Sequence, residues 1–220
     1  MDRLYRSFIQ PGDLVVDVGA HVGDRVASFR RLGARVVAVE PQRAMARVLR
    51  LLYGYSRFVA IEEMAVGRAP GRARMMINAD NPTVSSVSPA FVDAARGAPG
   101  WETQRWTGSA DVVVTTLDAL IEKHGRPTFI KLDVEGFEAE ALEGLSRAVH
   151  ALSFEFTTIQ REVALACVAR CSVLGYTRFN AALGESQTLV SDWVNADDIA
   201  RWLIDLPQSA NSGDIYAALA

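Results

Sequence analysis

Lysine, cysteine and histidine are scarce in this chain. Its 220 residues hold two lysines, Lys123 and Lys131, two cysteines, Cys167 and Cys171, and three histidines, His21, His124 and His150. The cysteines stand four apart in a helix-like stretch, and a metal site there would need two further ligands close by. They are expected instead as packed thiols on one helix face. Long apolar runs are also missing: no stretch approaches the ~20 residues that a membrane span requires. The opening segment MDRLYRSFIQPGDLVVDVG lacks a charged n-region followed by an apolar h-region, and the expectation is a soluble, cytoplasmic protein. Neither sign of charge prevails, with a formal net of −3. Arginine supplies nearly all the positive charge, and binding of nucleic acid by charge alone is not indicated.

Half of the residues are hydrophobic, enough for a core, and the length suits one domain of residues 1–220. Short β-branched runs alternate with helical periods. DLVVDVG (13–19) is a buried strand ending in a glycine loop. Val22, Val26, Phe29 and Leu32 then repeat at helical spacing up to Gly33. ARVVAVE (34–40) is a second strand, a helix follows over 42–53 with Met45, Val48, Leu49 and Leu52 on one face, and RFVAIEE (57–63) is a third strand. This β-α-β-α-β order is the first half of a doubly wound α/β sheet. Strands are expected at 71–78 and 111–117, separated by a polar, Gly/Pro-rich stretch that carries Phe91, Trp101 and Trp106. A loop of that size is expected to work as a substrate lid over 80–110, with a short helix near Pro89–Arg96. Helices follow at 117–125, 137–145 and 161–175, and another begins at Asn195 as its cap. Strands fall at 128–134, 151–156, 176–183 and 213–219. His124 and His150 are expected at the surface or at strand edges.

The loop Asp17-Val18-Gly19-Ala20-His21-Val22-Gly23 allows a sharp turn and a close approach of a ligand to the backbone. Glu40, closing the second strand, is placed to accept hydrogen bonds from ribose hydroxyls. Both dinucleotide and S-adenosylmethionine sites use this arrangement. G-x-G-x-x-G needs glycine where His21 stands, and Asp17 would repel a diphosphate while suiting an ammonium. These details favour the methyl donor.

Four segments, VVDVGAHVGD, VVAVEP, FIKLDVEGFEAEALEGL and the late GDIYA, resemble the FkbM family of S-adenosylmethionine-dependent methyltransferases over residues 12 to 219. TVSSVS (83–88) is similar to the family's small-polar segment. EEMAVG (62–67) departs from the family pattern, which has an asparagine where Glu63 or Met64 stands. The resemblance implies a class I Rossmann-like methyltransferase fold, mostly parallel with an antiparallel C-terminal strand. It also implies S-adenosylmethionine as donor and a hydroxyl of a sugar, polyketide or other secondary metabolite as acceptor. The expected donor contacts are Asp17, Gly19, Ala20, His21, Gly23, Glu40, Pro41 and Ser86.

The run TFIKLDVEGFE (128–138) places three charges at the end of a core strand. In a doubly wound sheet, ligands bind beyond the carboxyl ends of the strands, where strand order reverses. Lys131, Asp133, Glu135 and, from the next strand, Glu155 are therefore expected at one mouth as the catalytic group. Methyl transfer from a sulfonium is an in-line displacement that mainly needs alignment. Asp133 and Glu155 are candidates to orient or deprotonate the hydroxyl. Lys131 is a candidate to hold them ionised, or to act as base itself if burial lowers its pKa. Asp133 and Glu155 would also suit Mg²⁺. The rival readings are a nicotinamide-dependent oxidoreductase, disfavoured by His21 and by the lack of a Tyr/Lys pair at helical spacing, and a non-catalytic donor-binding or scaffold protein of the same fold.

Overall fold

The computed structural model describes residues 1–220. A short helix α1 (Asp2–Tyr5) precedes the alternating units β1 (Leu14–Val18), α2 (Asp24–Arg31), β2 (Arg35–Val39), α3 (Arg43–Tyr53) and β3 (Val59–Glu62). Then come β4 (Ala65–Val66), β5 (Gly71–Ile77), α4 (Pro89–Ala95), β6 (Gly108–Thr115), α5 (Leu117–His124) and β7 (Phe129–Leu132). The chain closes with α6 (Glu138–Glu143), β8 (Ala151–Thr157), α7 (Arg161–Leu174), β9 (Arg178–Leu183), α8 (Ala196–Asp205) and β10 (Ser212–Ala218). No helix is long and apolar enough to cross a membrane.

The main sheet has seven strands in the order β3-β2-β1-β7-β8-β10-β9. Strand order reverses between β1 and β7, which pair in parallel with Asp17 opposite Lys131 and Val18 opposite Leu132. Only β10 runs against its neighbours, β8 and β9. This is the doubly wound α/β sheet with an antiparallel C-terminal strand. The central parallel strands β1 and β7 are buried along their whole length, so their runs are mostly apolar. Val16, Val18, Ile130 and Leu132 face one core, and Val15, Ala38 and Phe129 face the other. The polar residues of these strands follow the same alternation: Asp17, Lys131 and Ser153 share the second face.

Local signals set the helix ends. Ser88 accepts a hydrogen bond from the amide of Phe91 at the start of α4, where Pro89 takes the first helical position. Thr116 caps α5 and Asn195 caps α8 in the same way, satisfying amides that have no partner within the helix. Cys167 and Cys171 are free and buried.

Three local expectations change. On α3 the inward face is Ala46, Leu49 and the half-buried Tyr53; Leu52 is exposed, because the helix is turned so that Leu49 and Tyr53 pack over Gly23. β7 ends at Leu132, so Asp133 and Glu135 belong to the turn beyond the strand. His124 is largely sheltered and lies 2.7 Å from Glu62, which Lys123 also reaches. The segment between β5 and β6 is a packed layer with a small core of its own. Phe91 is fully buried with Trp101 edge-on at 5.4 Å, and the Trp106 indole donates to the carbonyl of Val84. β4, β5 and β6 form a second sheet beside the first, and the antiparallel β5–β6 ladder pins both ends of this segment.

Candidate active site

A cavity of about 350 Å³ opens beyond the carboxyl ends of β1, β2, β7 and β8, a size that suits a small ligand. Gly19, Ala20 and His21 form its floor, and Glu40, Pro41 and Gln42 form one wall. Asp133, Glu135, Glu155 and Thr157 form the opposite wall. Thr83, Val84, Ser85, Val87 and Trp101 cover it from above.

The floor requires glycine. Gly19 has φ +81, and a Cβ there would fall 1.7 Å from the carbonyl oxygen of Asp133. The loop and the turn after β7 are thus in backbone contact. The turn is itself unusual: Glu135 (φ 54) and Gly136 (φ 84) are both left-handed. A Cβ at 136 would lie 2.4 Å from Oε1 of Gln160 and 2.7 Å from Cβ of Phe91. Glu138 braces the turn by accepting from the amide of Val134 at 2.9 Å. This accounts for the spacing of D-V-E-G-F-E: one acid at the mouth, one on a strained turn, a glycine that tolerates the crowding, and one acid behind.

Glu40 is buried, and its two carboxylate oxygens accept from the amides of His21 (2.9 Å) and Gln42 (2.7 Å). Burial raises its pKa to about 7 against the pull of those amides. His21, with φ 47, contributes its backbone to this contact, while its ring Nε2 is sequestered without a partner.

On the opposite wall, Asp133, Glu135 and Glu155 each bring a carboxylate oxygen within 4.8 Å of the others. Lys131 Nζ lies 2.5 Å from Asp133 Oδ2. Burial alone would lower the lysine's pKa, but the field of Asp133, Asp214 and Asp17 outweighs it and raises the value. The neighbouring carboxylates thus favour the ammonium form of Lys131. Burial likewise works to raise the pKa of Asp133, but Lys131 holds it below the usual carboxylate range. Glu135 and Glu155 are pushed well above that range by burial and by the charge of Asp133.

Four expected site residues do not line the cavity. Lys131 is buried behind Asp133. Gly23 starts α2, and a side chain there would strike Tyr53 and Leu49, so it is a packing position. Ser86 is buried and donates its hydroxyl to the carbonyl of Glu135 at 2.6 Å, tying the covering segment to the strained turn. Asp17 lies beneath the loop, fully buried, with no hydrogen-bond partner on either oxygen. Burial raises its pKa to about 6. Of the segment after β3, Ala65 and Val66 line the cavity, whereas Glu63 pairs with Arg50 and Met64 packs into the core.

Sequence reasoning missed Arg25, the only lysine or arginine on the cavity wall. Its Nη2 reaches Glu185 at 2.9 Å, and its sequestered Nε has no partner. As the first basic residue after the glycine loop, it carried a positional signal. Asp214, inside GDIYA, joins Lys131 and Asp17 in one buried charge cluster.

Residues 17–165 match the model of the family described as methyltransferase FkbM domain. The chain belongs to the FkbM methyltransferase family. It is accordingly an S-adenosylmethionine-dependent methyltransferase, and the residues present fit that donor. Gly19 lets the loop close against the turn after β7 to form an unbroken backbone floor, and Asp17 offers two unsatisfied buried oxygens beneath it. Glu40 closes β2 at the cavity wall. No curated protein matches the chain. Similar solved structures include the precorrin-6y C5,15-methyltransferase of Geobacter metallireducens, at 13% identity, TM-score 0.48, covering 99% of this chain and 85% of that one. A TehB-like SAM-dependent methyltransferase of Corynebacterium glutamicum is 12% identical at TM-score 0.49, covering 100% of this chain and 86% of that one. A putative rRNA-methylase of Clostridium thermocellum is 8% identical at TM-score 0.48, covering 100% and 93%.

Proposed function

We propose that this FkbM-family enzyme methylates a hydroxyl of a sugar, polyketide or other small natural product in the cytoplasm. The observation that carries the reading is the convergence of the Gly19–His21 floor and the Asp133–Glu155 wall on one cavity. When bound, S-adenosylmethionine supplies a methyl group already activated on a sulfonium. Glu40 receives the ribose hydroxyls on lone pairs its backbone donors leave free, and Pro41 flanks the adenine side. Asp17, from below the floor, attracts the ammonium of the donor's amino-acid end. Arg25 takes its carboxylate through the free Nε.

Asp133 stays ionised beside Lys131 and orients the acceptor hydroxyl. Burial and the charge of Asp133 favour the protonated forms of Glu155 and Glu135 in the free enzyme. A cation in the cavity favours their ionised forms, and Glu155, whose Oε2 has no partner, becomes the acceptor for the hydroxyl proton. The 80–110 segment covers the acceptor and excludes water.

A divalent cation on Asp133, Glu135 and Glu155 is the weaker reading, because Lys131 already neutralises Asp133; activity that survives thorough chelation removes it. The deciding experiment is transfer of isotope-labelled methyl from S-adenosylmethionine into cell extract, with identification of the tagged compound. Label on an oxygen, with Asp133→Asn losing turnover more than donor binding, supports the reading. Label on nitrogen or carbon refutes the hydroxyl acceptor. Stabilisation by NAD(H) and none by S-adenosylhomocysteine returns the oxidoreductase. Donor binding without any product returns the scaffold.

A further inference from the structure

The small net charge of the chain conceals a strong segregation. Residues 25–57 contain eight arginines and one acid, a net of +7 in a chain whose total is −3, so the remaining residues carry −10. The one acid, Glu40, is buried in the cavity wall. Of the arginines, Arg25 lines the cavity and pairs with Glu185, Arg31 pairs with Asp2 and Arg50 with Glu63, and Arg35 starts β2. Arg30, Arg43, Arg47 and Arg57, on α2, α3 and the loop into β3, enter no ion pair. Arg47 and Arg57 are exposed. Arg30 and Arg57 both stack on the ring of Phe58, at 4.5 and 4.8 Å, joining the end of α2 to the start of β3. Within this basic rim the apolar residues stand out into solvent: Leu51 is 80% exposed, Leu52 59% and Tyr55 fully.

We propose that this face docks the enzyme on an anionic lipid surface. Arginine rims around exposed leucine and tyrosine on a convex helix are the pattern of interfacial binding, with apolar groups entering the acyl boundary and guanidinium groups meeting headgroup phosphates. A second copy of this chain is opposed by like charge on both faces. Nucleic acid would use the arginines but leaves Leu51 and Leu52 without a role. The location is also compatible with turnover. Arg35 and Phe58 lie at the amino ends of β2 and β3, whereas the cavity opens at the carboxyl ends of the same parallel strands. A docked enzyme therefore turns its mouth away from the lipid and remains open to a soluble acceptor.

The test is co-sedimentation of the full chain with phosphatidylcholine vesicles, with and without phosphatidylglycerol, at low and physiological salt. Binding is expected only to the anionic vesicles and should weaken with salt. Arg47→Glu with Arg57→Glu should weaken it at least about tenfold. Leu51→Ser with Leu52→Ser should weaken it while leaving the salt dependence in place. Both variants alter exposed side chains, and thermal stabilisation by S-adenosylhomocysteine checks that they remain folded. Equal binding to neutral and anionic vesicles, or none to either, overturns the proposal. So does binding to a mixed-sequence RNA that the anionic vesicles do not match, or a dimer in sedimentation that the leucine variant dissociates.

Discussion

Gly19 and the carbonyl oxygen of Asp133 meet so closely that a Cβ on Gly19 would lie 1.7 Å from that oxygen. Two peptide segments more than a hundred residues apart in sequence are in contact at the point where the sheet reverses its order, and the cavity is built around that contact.

Gly19→Ala should therefore do more than strain a left-handed residue. The loop must move away from the turn, so S-adenosylhomocysteine binding should fall below detection in calorimetry while the circular dichroism spectrum persists. Retained affinity would mean that the loop does not form the donor floor.

Lys131 is the ammonium among Asp133, Asp17 and Asp214. Lys131→Met leaves those acids buried without it. The expected loss of stability is about 3 kcal/mol or more in urea unfolding. Adding Asp133→Asn should restore part of it, because the double variant removes both partners of the 2.5 Å pair. An unchanged midpoint for Lys131→Met would show that the pair does not hold the cluster.

Much of this arrangement was legible in the residues. The strand order follows from continuous apolar runs between helical periods, and the acids at the mouth follow from charges at the end of such a run. What escaped was set by contacts distant in sequence. Ser86 sits in a small-polar segment that gives no sign of its bond to the Glu135 carbonyl. Gly23 is a glycine in a glycine loop, yet Tyr53 and Leu49 decide its role. Leu52 fits the helical period but falls outside the packed face. The net charge hid the run of arginines in residues 25–57, and the fold decides which of them stay unpaired at the surface.

The two ends of the donor can be separated by ligand choice. Arg25→Gln should weaken S-adenosylhomocysteine by about 1–3 kcal/mol, the range for hydrogen bonds to a charged group. It should leave methylthioadenosine, which lacks the amino-acid end, unaffected. Glu40→Ala should weaken both ligands by a similar amount, since both carry the ribose. Equal losses for Arg25→Gln on the two ligands would place Arg25 away from the carboxylate.

Acidity supplies a further check. Burial raises Glu40 and Glu138 to about 7 and Asp17 to about 6, whereas the unfolded chain releases these protons near ~4. The folded form keeps protons that the unfolded form has lost, so this contribution to stability is present below about pH 4 and disappears as pH rises through 6 and 7. The melting temperature of the free enzyme should fall from about pH 5 to about pH 8. Stabilisation by S-adenosylmethionine should grow over the same interval, as ionised carboxylates attract its sulfonium and ammonium. A melting temperature that rises steadily with pH would contradict the assignment.

A crystal structure with S-adenosylhomocysteine bound tests the central claim most directly. The ribose should rest on Glu40, the amino-acid end should lie against Arg25 and the loop that covers Asp17, and the sulfur should face Asp133 and Glu155 across the cavity. A ligand seated elsewhere, or one whose sulfur is turned away from those carboxylates, would contradict it.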